Sequence, residues 1–483
     1  MESNIKHENE QGIYLPYEPR MKPTEPESLN VKRTIFISFS FFTVLIAWAF
    51  FNFKVPLLLD DVLGTFPLKD LAKGTIMAMD NLIAVVLQPF FGDLSDRTKS
   101  KFGRRMPYIV IGTISSAIFF IFIPWMQLLA GLIIIIFLFD LAMAIYRSAS
   151  IAILPDYTSE KVYSKGSAIQ QFIANMGGLL AFVIPIILGI VQASLSTEWF
   201  NGLGFLIVAI IMLLFVGILF ITIKETPTGD KWLEITQNKI EIEPDTFKAK
   251  ELEEKLENTV KKKQRFRSYR ETFTIIKNHK NFTFFLGTVI LMYLAFASIE
   301  AFFSSFAIDY FNITEGEAST LFLAYSAPMI ATAYFVGLLG QSKKVGRQNA
   351  VKIYLIWLVI ALFVMAAFVV PTTYHNHNPL LVITVLIFIA IPWMGFIVNS
   401  FSILWALAPK GKVGIYTGIY YTFNQSAYAF APIIFGGILS IFSFLGDYRY
   451  IIMFPYILVL IVIALLLFFR MKSGNAQSEE IKE

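Results

Sequence analysis

Lys54, Asp80, Asp140, Arg147 and Glu300 each interrupt a run of apolar residues long enough to cross a membrane. A charge at the bilayer centre costs roughly 2.5–3.5 kcal/mol on insertion scales, so such residues mark functional sites unless they pair statically. Asp140 and Arg147 are seven residues apart. That is about two helical turns, which returns both to one face about 10 Å apart. They are too far apart to bond and near enough to line one cavity. Lys54, in the outer half of the first span, could snorkel to the surface or hold Asp80 ionised. Two cations and three carboxylates leave the set near balance, as avoidance of unpaired buried charge requires. Static ion pairs locking helices together are the alternative reading.

Proton-coupled chemistry would first suggest histidine. All four (His7, His279, His375, His377) fall in tails or loops. A proton carrier must therefore be a carboxylate, neutral when its surroundings are dry and charged when they are wet. Glu300, flanked by Ser298 and Ser304–Ser305, ranks ahead of Asp80 and Asp140. Asp80, Glu300 and Lys54 form the candidate ion-coupling set. Amides and aromatics make a second constellation. Asn52, Asn81, Asn175, Trp393, Asn399, Tyr420 and Asn424 fall within apolar spans and, with Asp140 and Arg147, are the candidate substrate-binding residues. Amides and carboxylates can bond sugar hydroxyls while an aromatic face lies under the ring. The same residue types also bridge helices and form interfacial belts.

The elements that must position these side chains are membrane helices. Hydrophobic residues make up 56% of the 483 positions and charged residues 16%, against about 25% charged in soluble proteins. About 20 apolar residues span the hydrocarbon core. Twelve candidates run near 34–57, 71–92, 107–126, 128–154, 165–192, 200–223, 282–308, 317–340, 350–371, 379–407, 414–442 and 449–470. Irregular backbone in lipid would strand its polar groups, so these must be helices. The expected fold is an all-α membrane protein with two six-helix, parallel-repeat halves.

Loop charge sets orientation. The 93–106 cluster, Lys161, Lys165, Lys343, Lys344, Arg347, Lys410 and Lys412 alternate to one side, together with both tails and the 224–280 segment. The other side has little beyond Lys69, Lys73 and Arg449, offset by Asp60, Asp61, Asp309, Glu315 and Asp447. Both termini are expected to be cytoplasmic in a multi-pass plasma-membrane protein. The division expected is a disordered cytoplasmic tail over 1–33, an N-terminal bundle over 34–223, a cytoplasmic linker over 224–280, a C-terminal bundle over 281–470 and a cytoplasmic tail over 471–483. The polar start lacks the apolar core of a secretory signal, so the first span is expected to direct insertion. In the linker, Leu252 and Leu256 stand among charges and suggest an amphipathic helix, either solvated or lying on anionic headgroups.

The halves repeat weakly. Gly92-Asp-Leu-Ser-Asp-Arg is echoed by Gly337-Leu-Leu-Gly-Gln-Ser, Gly103-Arg-Arg by Gly346-Arg-Gln, and Leu154-Pro-Asp by Ala408-Pro-Lys. The first loop, Ser95-Asp-Arg-Thr-x-Ser-x-Phe-Gly-Arg-Arg-x-Pro107, resembles the signature between helices 2 and 3 of the major facilitator superfamily. In this long form it is most similar to the sucrose-transporter and glycoside–pentoside–hexuronide branches. Tyr146-Arg-Ser-Ala-Ser-Ile-Ala-Ile-Leu-Pro-Asp156, Lys165-Gly-Ser-Ala-Ile-Gln-Gln-Phe-Ile-Ala-Asn-Met-Gly-Gly178 and the 408–421 segment carry the rest of the likeness.

The resemblance implies a secondary transporter of a sugar or glycoside, driven by a proton or sodium gradient through alternating access. It also implies a cytoplasmic gate at Gly92, Asp96, Arg97, Gly103, Arg104 and Arg105. The helix-2 pair Asp80–Asn81 departs from the paired aspartates of melibiose-type carriers. Arg147 lies about one turn farther from Asp156 than the matching arginine of plant sucrose carriers. A proton-coupled exporter, a carrier of another polar solute and a non-transporting sensor stay open. No metal cluster or catalytic pairing stands in the spans, so an enzyme is not expected. No cofactor, metal or nucleic-acid partner is expected either. Without cysteine there are no disulfides or thiolate sites. A monomer in the lipid bilayer is expected.

Overall fold

A computed structural model describes residues 29–158, 162–191, 197–225, 276–342, 344–374, 379–408 and 413–471. The tails and most of the 224–280 linker, with its expected amphipathic helix, lie outside the described residues. Twelve long helices follow the hydrophobic runs. They are α1 (Val31–Leu63), α2 (Lys69–Met77 and Met79–Arg97), α3 (Met106–Phe122), α4 (Leu129–Tyr157), α5 (Tyr163–Val191) and α6 (Thr197–Thr222). The second six are α7 (Lys280–Ser305), α8 (Glu315–Gln341), α9 (Gly346–Val364), α10 (Pro379–Leu407), α11 (Val413–Ile441) and α12 (Met453–Phe469). Eleven are long and apolar enough to cross a membrane. The remaining one, α11, has 29 residues, ample length at about 1.5 Å per residue.

Local chemistry sets the helix ends. Asn30 caps α1 by accepting the Arg33 N–H at 3.0 Å. Thr314 and Glu317 form a reciprocal capping box at the start of α8, which satisfies two otherwise orphaned donors. Pro107 opens α3, where its missing N–H costs nothing. α7 runs on into a π-turn, Phe306–Tyr310, and α12 is preceded by a 3₁₀ stretch, Ser443–Ile452. Large apolar side chains such as Val86, Ile190 and Ile221 are mostly exposed, as a lipid-facing surface requires.

The first and last six helices meet most closely at the end opposite the basic loop. Here α2 lies on α11. A Cβ on Gly74 would overlap the carbonyl of Pro432, and one on Gly436 would overlap that of Asp70. Only hydrogen at these two positions permits the approach.

Candidate functional site

Three connected spaces lie between the helices. A small chamber, about 370 Å³ of empty space counting what is open to solvent, is lined by Trp48 of α1, Asp80 and Gln88 of α2, and Asp140 and Arg147 of α4, with Phe51, Phe139 and Met143 beside them. An aromatic cleft of about 860 Å³, part of it open to solvent, is walled by Phe182, Phe296, Phe303, Phe322 and Tyr325, among others, with Asn52 and Glu300 on its edge. A smaller space of about 240 Å³ shares Trp48 with the first, and Asn52 and Glu300 with the second.

Asn52 Nδ2 of α1 donates to Glu300 Oε1 of α7 at 2.7 Å. The Arg147 guanidinium lies over the Trp48 ring, 3.8 Å from its centroid, within the range of a cation–π contact. Asn81 Nδ2 donates to Asp80 Oδ1 at 2.5 Å. Asp80 and Glu300 both lie within electrostatic reach of Arg147, and Asp140 within reach of Asp80. Buried atoms Asp140 Oδ2, Arg147 Nε and Gln88 Nε2 have no hydrogen-bond partner among the described residues. One face of α4 thus presents Asp140 and Arg147 to a single chamber, as the seven-residue spacing suggested.

Lys54 is placed elsewhere. Its ammonium bonds Glu315 of α8 at 2.5 Å, and the cation facing Asp80 is Arg147. The near balance expected of the intramembrane set therefore does not hold here: Asp80 and Asp140 line the chamber with Arg147 as its one cation, and Glu300 stands in the adjoining space.

Of the other candidate binding residues, Asn81 lines the connecting space. Trp393 is stacked on Phe296, centroids 4.9 Å apart, one layer behind the cleft wall. Asn399 donates to the carbonyls of Gly395 at 2.8 Å and Val336 at 3.2 Å, which ties α10 to α8. Tyr420 is fully buried with its hydroxyl 3.3 Å from that of Tyr293, and Asn424 is bonded to it. Asn175 accepts from Gln171 at 3.2 Å on α5. These last four make helix contacts outside the three spaces.

The basic loop folds into a compact corner. Arg104 Nε donates to Asp156 Oδ2 at 3.0 Å and Arg105 Nε to the same oxygen at 3.1 Å. Arg105 also bonds Asp96 and Ser95 and reaches the Gly92 carbonyl at 3.5 Å. These bonds tie the end of α2 to α3 and α4. Gly103 turns the chain at φ +89°, a region that favours glycine. Arg97 pairs instead with exposed Asp93 at 3.0 Å.

Sequence reasoning missed Glu225. Its carboxylate accepts the N–H of Met106 at 2.9 Å and of Arg105 at 2.9 Å, so it caps α3. Burial raises its carboxyl above the ordinary glutamate range, and the backbone donors pull the other way. A carboxylate just past α6 was the only available signal.

The opposite end holds a second missed network. Lys73, fully buried, donates to Asp60 at 2.8 Å, Ser305 at 3.0 Å and Tyr450 at 3.3 Å. Ser305 donates to Asp60 at 2.6 Å. Arg449 Nε donates to Asp70 at 2.8 Å. The Leu71 N–H donates to Ser440 Oγ at 2.9 Å. Lys69, Lys73 and Arg449 look like dilute loop charges in the sequence. In the structure Lys73 and Arg449 bind the first six helices to the last six, and Lys69 meets Asp60 at 3.2 Å.

The profile of the Major Facilitator Superfamily matches residues 37–432 and again 285–483. The chain belongs to this superfamily. A search of curated protein sequences finds no significant match. Similar solved structures include a bacterial homolog of the human lysosomal transporter Spinster in an inward-facing, unoccupied conformation. It has a TM-score of 0.64 and 14% identity, covering 92% of this chain and 97% of that one. A D-xylose–proton symporter has a TM-score of 0.66 and 12% identity, covering 92% and 98%. The nucleoside transporter NupG has a TM-score of 0.63 and 12% identity, covering 90% and 99%. At such identities the likeness is one of fold. Family and fold make this multi-pass membrane protein a transporter rather than an enzyme.

Proposed function

We propose that the protein moves a sugar or glycoside across the plasma membrane by alternating access, in symport with protons. The observation that carries this is the Asn52–Glu300 bond, which places a carboxylate between the two sets of helices, beside a chamber holding Asp80, Asp140 and Arg147. A carboxylate so placed can gain a proton when the chamber faces one side and lose it on the other. Asn52, Asn81, Asp140 and Arg147 are the proposed solute contacts, and Glu300 the proposed coupling group with Asp80 beside it. Membership of the glycoside–pentoside–hexuronide or sucrose branch is part of the proposal, resting on the extended 95–107 motif.

The proposed topology is two six-helix bundles joined by the 224–280 segment, with both termini cytoplasmic and the chain acting as a monomer. With the basic loop on the cytoplasmic side, the Lys73 and Asp70–Arg449 contacts would close the outer end, the arrangement proposed for the inward-facing state. In the outward-facing state Asp96, Arg104 and Arg105 would hold the cytoplasmic end shut.

Counterflow in proteoliposomes tests the function. Sugar-dependent counterflow is expected, with accumulation driven by an inward proton gradient. Accumulation driven by sodium at constant pH would replace the proton with sodium at the same carboxylates. Absence of counterflow for every sugar and glycoside tried would overturn the substrate class.

A further inference from the structure

α7 carries Phe296, Glu300 and Phe303, and α8 carries Phe322, Tyr325 and Ser326. Steps of three and four return each trio to one face of its helix. Both faces line the aromatic cleft, together with Phe182 of α5. The rings hold one another in place. Phe182 stacks on Phe322 with centroids 4.9 Å apart, Phe303 meets Phe322 edge-on at 4.9 Å, and Phe296 is backed by Trp393 at 4.9 Å. The room among them is about 200 Å³. A cavity of about 150 Å³ takes benzene, so the cleft has space for one ring and a small head.

Glu300 is the one formal charge on this wall. Its hydrogen-bond partner among the described residues is Asn52. Arg147 acts on it only at a distance, from the neighbouring chamber. A buried charge without an ion-pair partner is costly, and a ligand of opposite charge relieves that cost. The rings decide which cation fits. A hard metal ion asks for about six oxygen ligands, and a wall that is mostly phenyl and hydrocarbon does not supply them. A substituted ammonium, its charge sheathed in hydrocarbon, is drawn instead to aromatic faces. An anion would meet Glu300 as a like charge, and a neutral ring would strip it of water without pairing it. We infer that the aromatic cleft is a binding site for lipophilic organic cations, with a substituted ammonium set against Glu300 and one aromatic ring held among Phe182, Phe296, Phe303 and Phe322. This site is a second one, independent of the sugar reading. A cation held there would occupy the carboxylate to which the coupling proton is assigned above, and would block transport rather than ride with the solute.

The test is equilibrium dialysis of the full chain in phosphatidylcholine nanodiscs, with empty nanodiscs as the blank. The probes are phenyltrimethylammonium, tetramethylammonium, which has the charge without the ring, and benzyl alcohol, which has the ring without the charge. Phenyltrimethylammonium is expected to bind roughly tenfold or more tighter than benzyl alcohol, from its charge among the rings. It should bind roughly 30-fold tighter than tetramethylammonium, from burial of one ring. Glu300→Gln keeps the shape and removes the charge, and should bring phenyltrimethylammonium down to the affinity of benzyl alcohol. Ser326→Phe fills the cleft and should weaken phenyltrimethylammonium roughly tenfold or more, whereas Ser326→Ala, which keeps the space, should bind it as the parent does. Where Glu300→Gln does not assemble, the two Ser326 variants decide. Equal binding of the three probes in the parent overturns the inference, as does tight binding of phenyltrimethylammonium that survives either Glu300→Gln or Ser326→Phe. Sugar counterflow is measured separately, so either result leaves the sugar reading to its own experiment.

Discussion

Asn52 of α1 donates a 2.7 Å hydrogen bond to Oε1 of Glu300 on α7, joining the first and last six helices at the centre of the protein. Any change that separates the two sets must break or re-form this bond. A glutamine at 300 mimics the protonated acid. Glu300→Gln is expected to abolish gradient-driven accumulation and to retain solute exchange at equal concentrations. Proteoliposome uptake with and without a proton gradient separates the two. Accumulation preserved in the variant would move the coupling role to Asp80 or Asp140.

Arg147 spreads its guanidinium on Trp48 while facing Asp80. A lysine keeps the charge but loses the plane and the fork. Arg147→Lys should lower transport roughly tenfold or more, equivalent to about 1.4 kcal/mol. Trp48→Leu should lower it in the same direction by removing the surface on which the cation rests. Parent-like transport by Arg147→Lys would reduce Arg147 to a counter-charge.

The Asp70–Arg449 pair predicts a conformational shift. Truncating one member of a buried pair costs up to about 3–5 kcal/mol, less here because Lys73 stays 3.8 Å from Asp70, and the cost falls on the state with the outer end closed. The chain has no cysteine, so a single introduced thiol reports without background. Gly437→Cys would place its Cβ in ordinary contact with Leu71 at 3.7 Å. This thiol should react slowly with an impermeant maleimide in the parent and at least tenfold faster when combined with Arg449→Ala. Gly74→Ala, which forces α2 from Pro432, should act in the same direction. Unchanged labelling in both combinations would show that the network does not control opening.

At the basic corner, Asp96→Ala should reduce transport while leaving expression and membrane insertion intact. Glu225 adds a pH dependence. Because burial raises its carboxyl in the folded protein, the folded state holds that proton more tightly than the unfolded state does. The stability it contributes is therefore fully present below the ordinary glutamate value of about 4.3. It declines as pH rises through that value to the raised one. Thermal unfolding across this window should lose part of its slope in Glu225→Gln. An identical slope in the variant would assign the dependence to other groups.

The helices and the chamber were legible for one reason. Hydrocarbon solvent forbids both irregular backbone and idle charge, so long apolar runs and the ions inside them stand out. Asp80, Asp140, Arg147 and Glu300 were found this way, and the structure gathers them. Partnership was not legible. Lys54 meets Glu315, 261 positions along the chain, and no local period marks that pairing. Lys69, Lys73, Asp70 and Arg449 stand beside loops in the sequence, where charge is ordinarily solvated, and it is the packing of α2 against α7, α11 and the 3₁₀ stretch before α12 that buries Lys73, Asp70 and Arg449. Asn399 and Tyr420 show the converse. Amides and phenols within a span can serve helix bridges as readily as solutes, and residue type alone does not distinguish the two.

Asp80 and Asp140 line the chamber and Glu300 stands beside it, so acidic groups outnumber Arg147, the one cation there. Under the symport proposed above, a neutral solute would travel with positive charge, and each turn of the cycle would carry current. A membrane potential of 100 mV, negative inside, adds about 2.3 kcal/mol per charge moved, or roughly fifty-fold in accumulation. With Lys54 held by Glu315 away from these groups, voltage would join the ion gradient in driving the symport proposed.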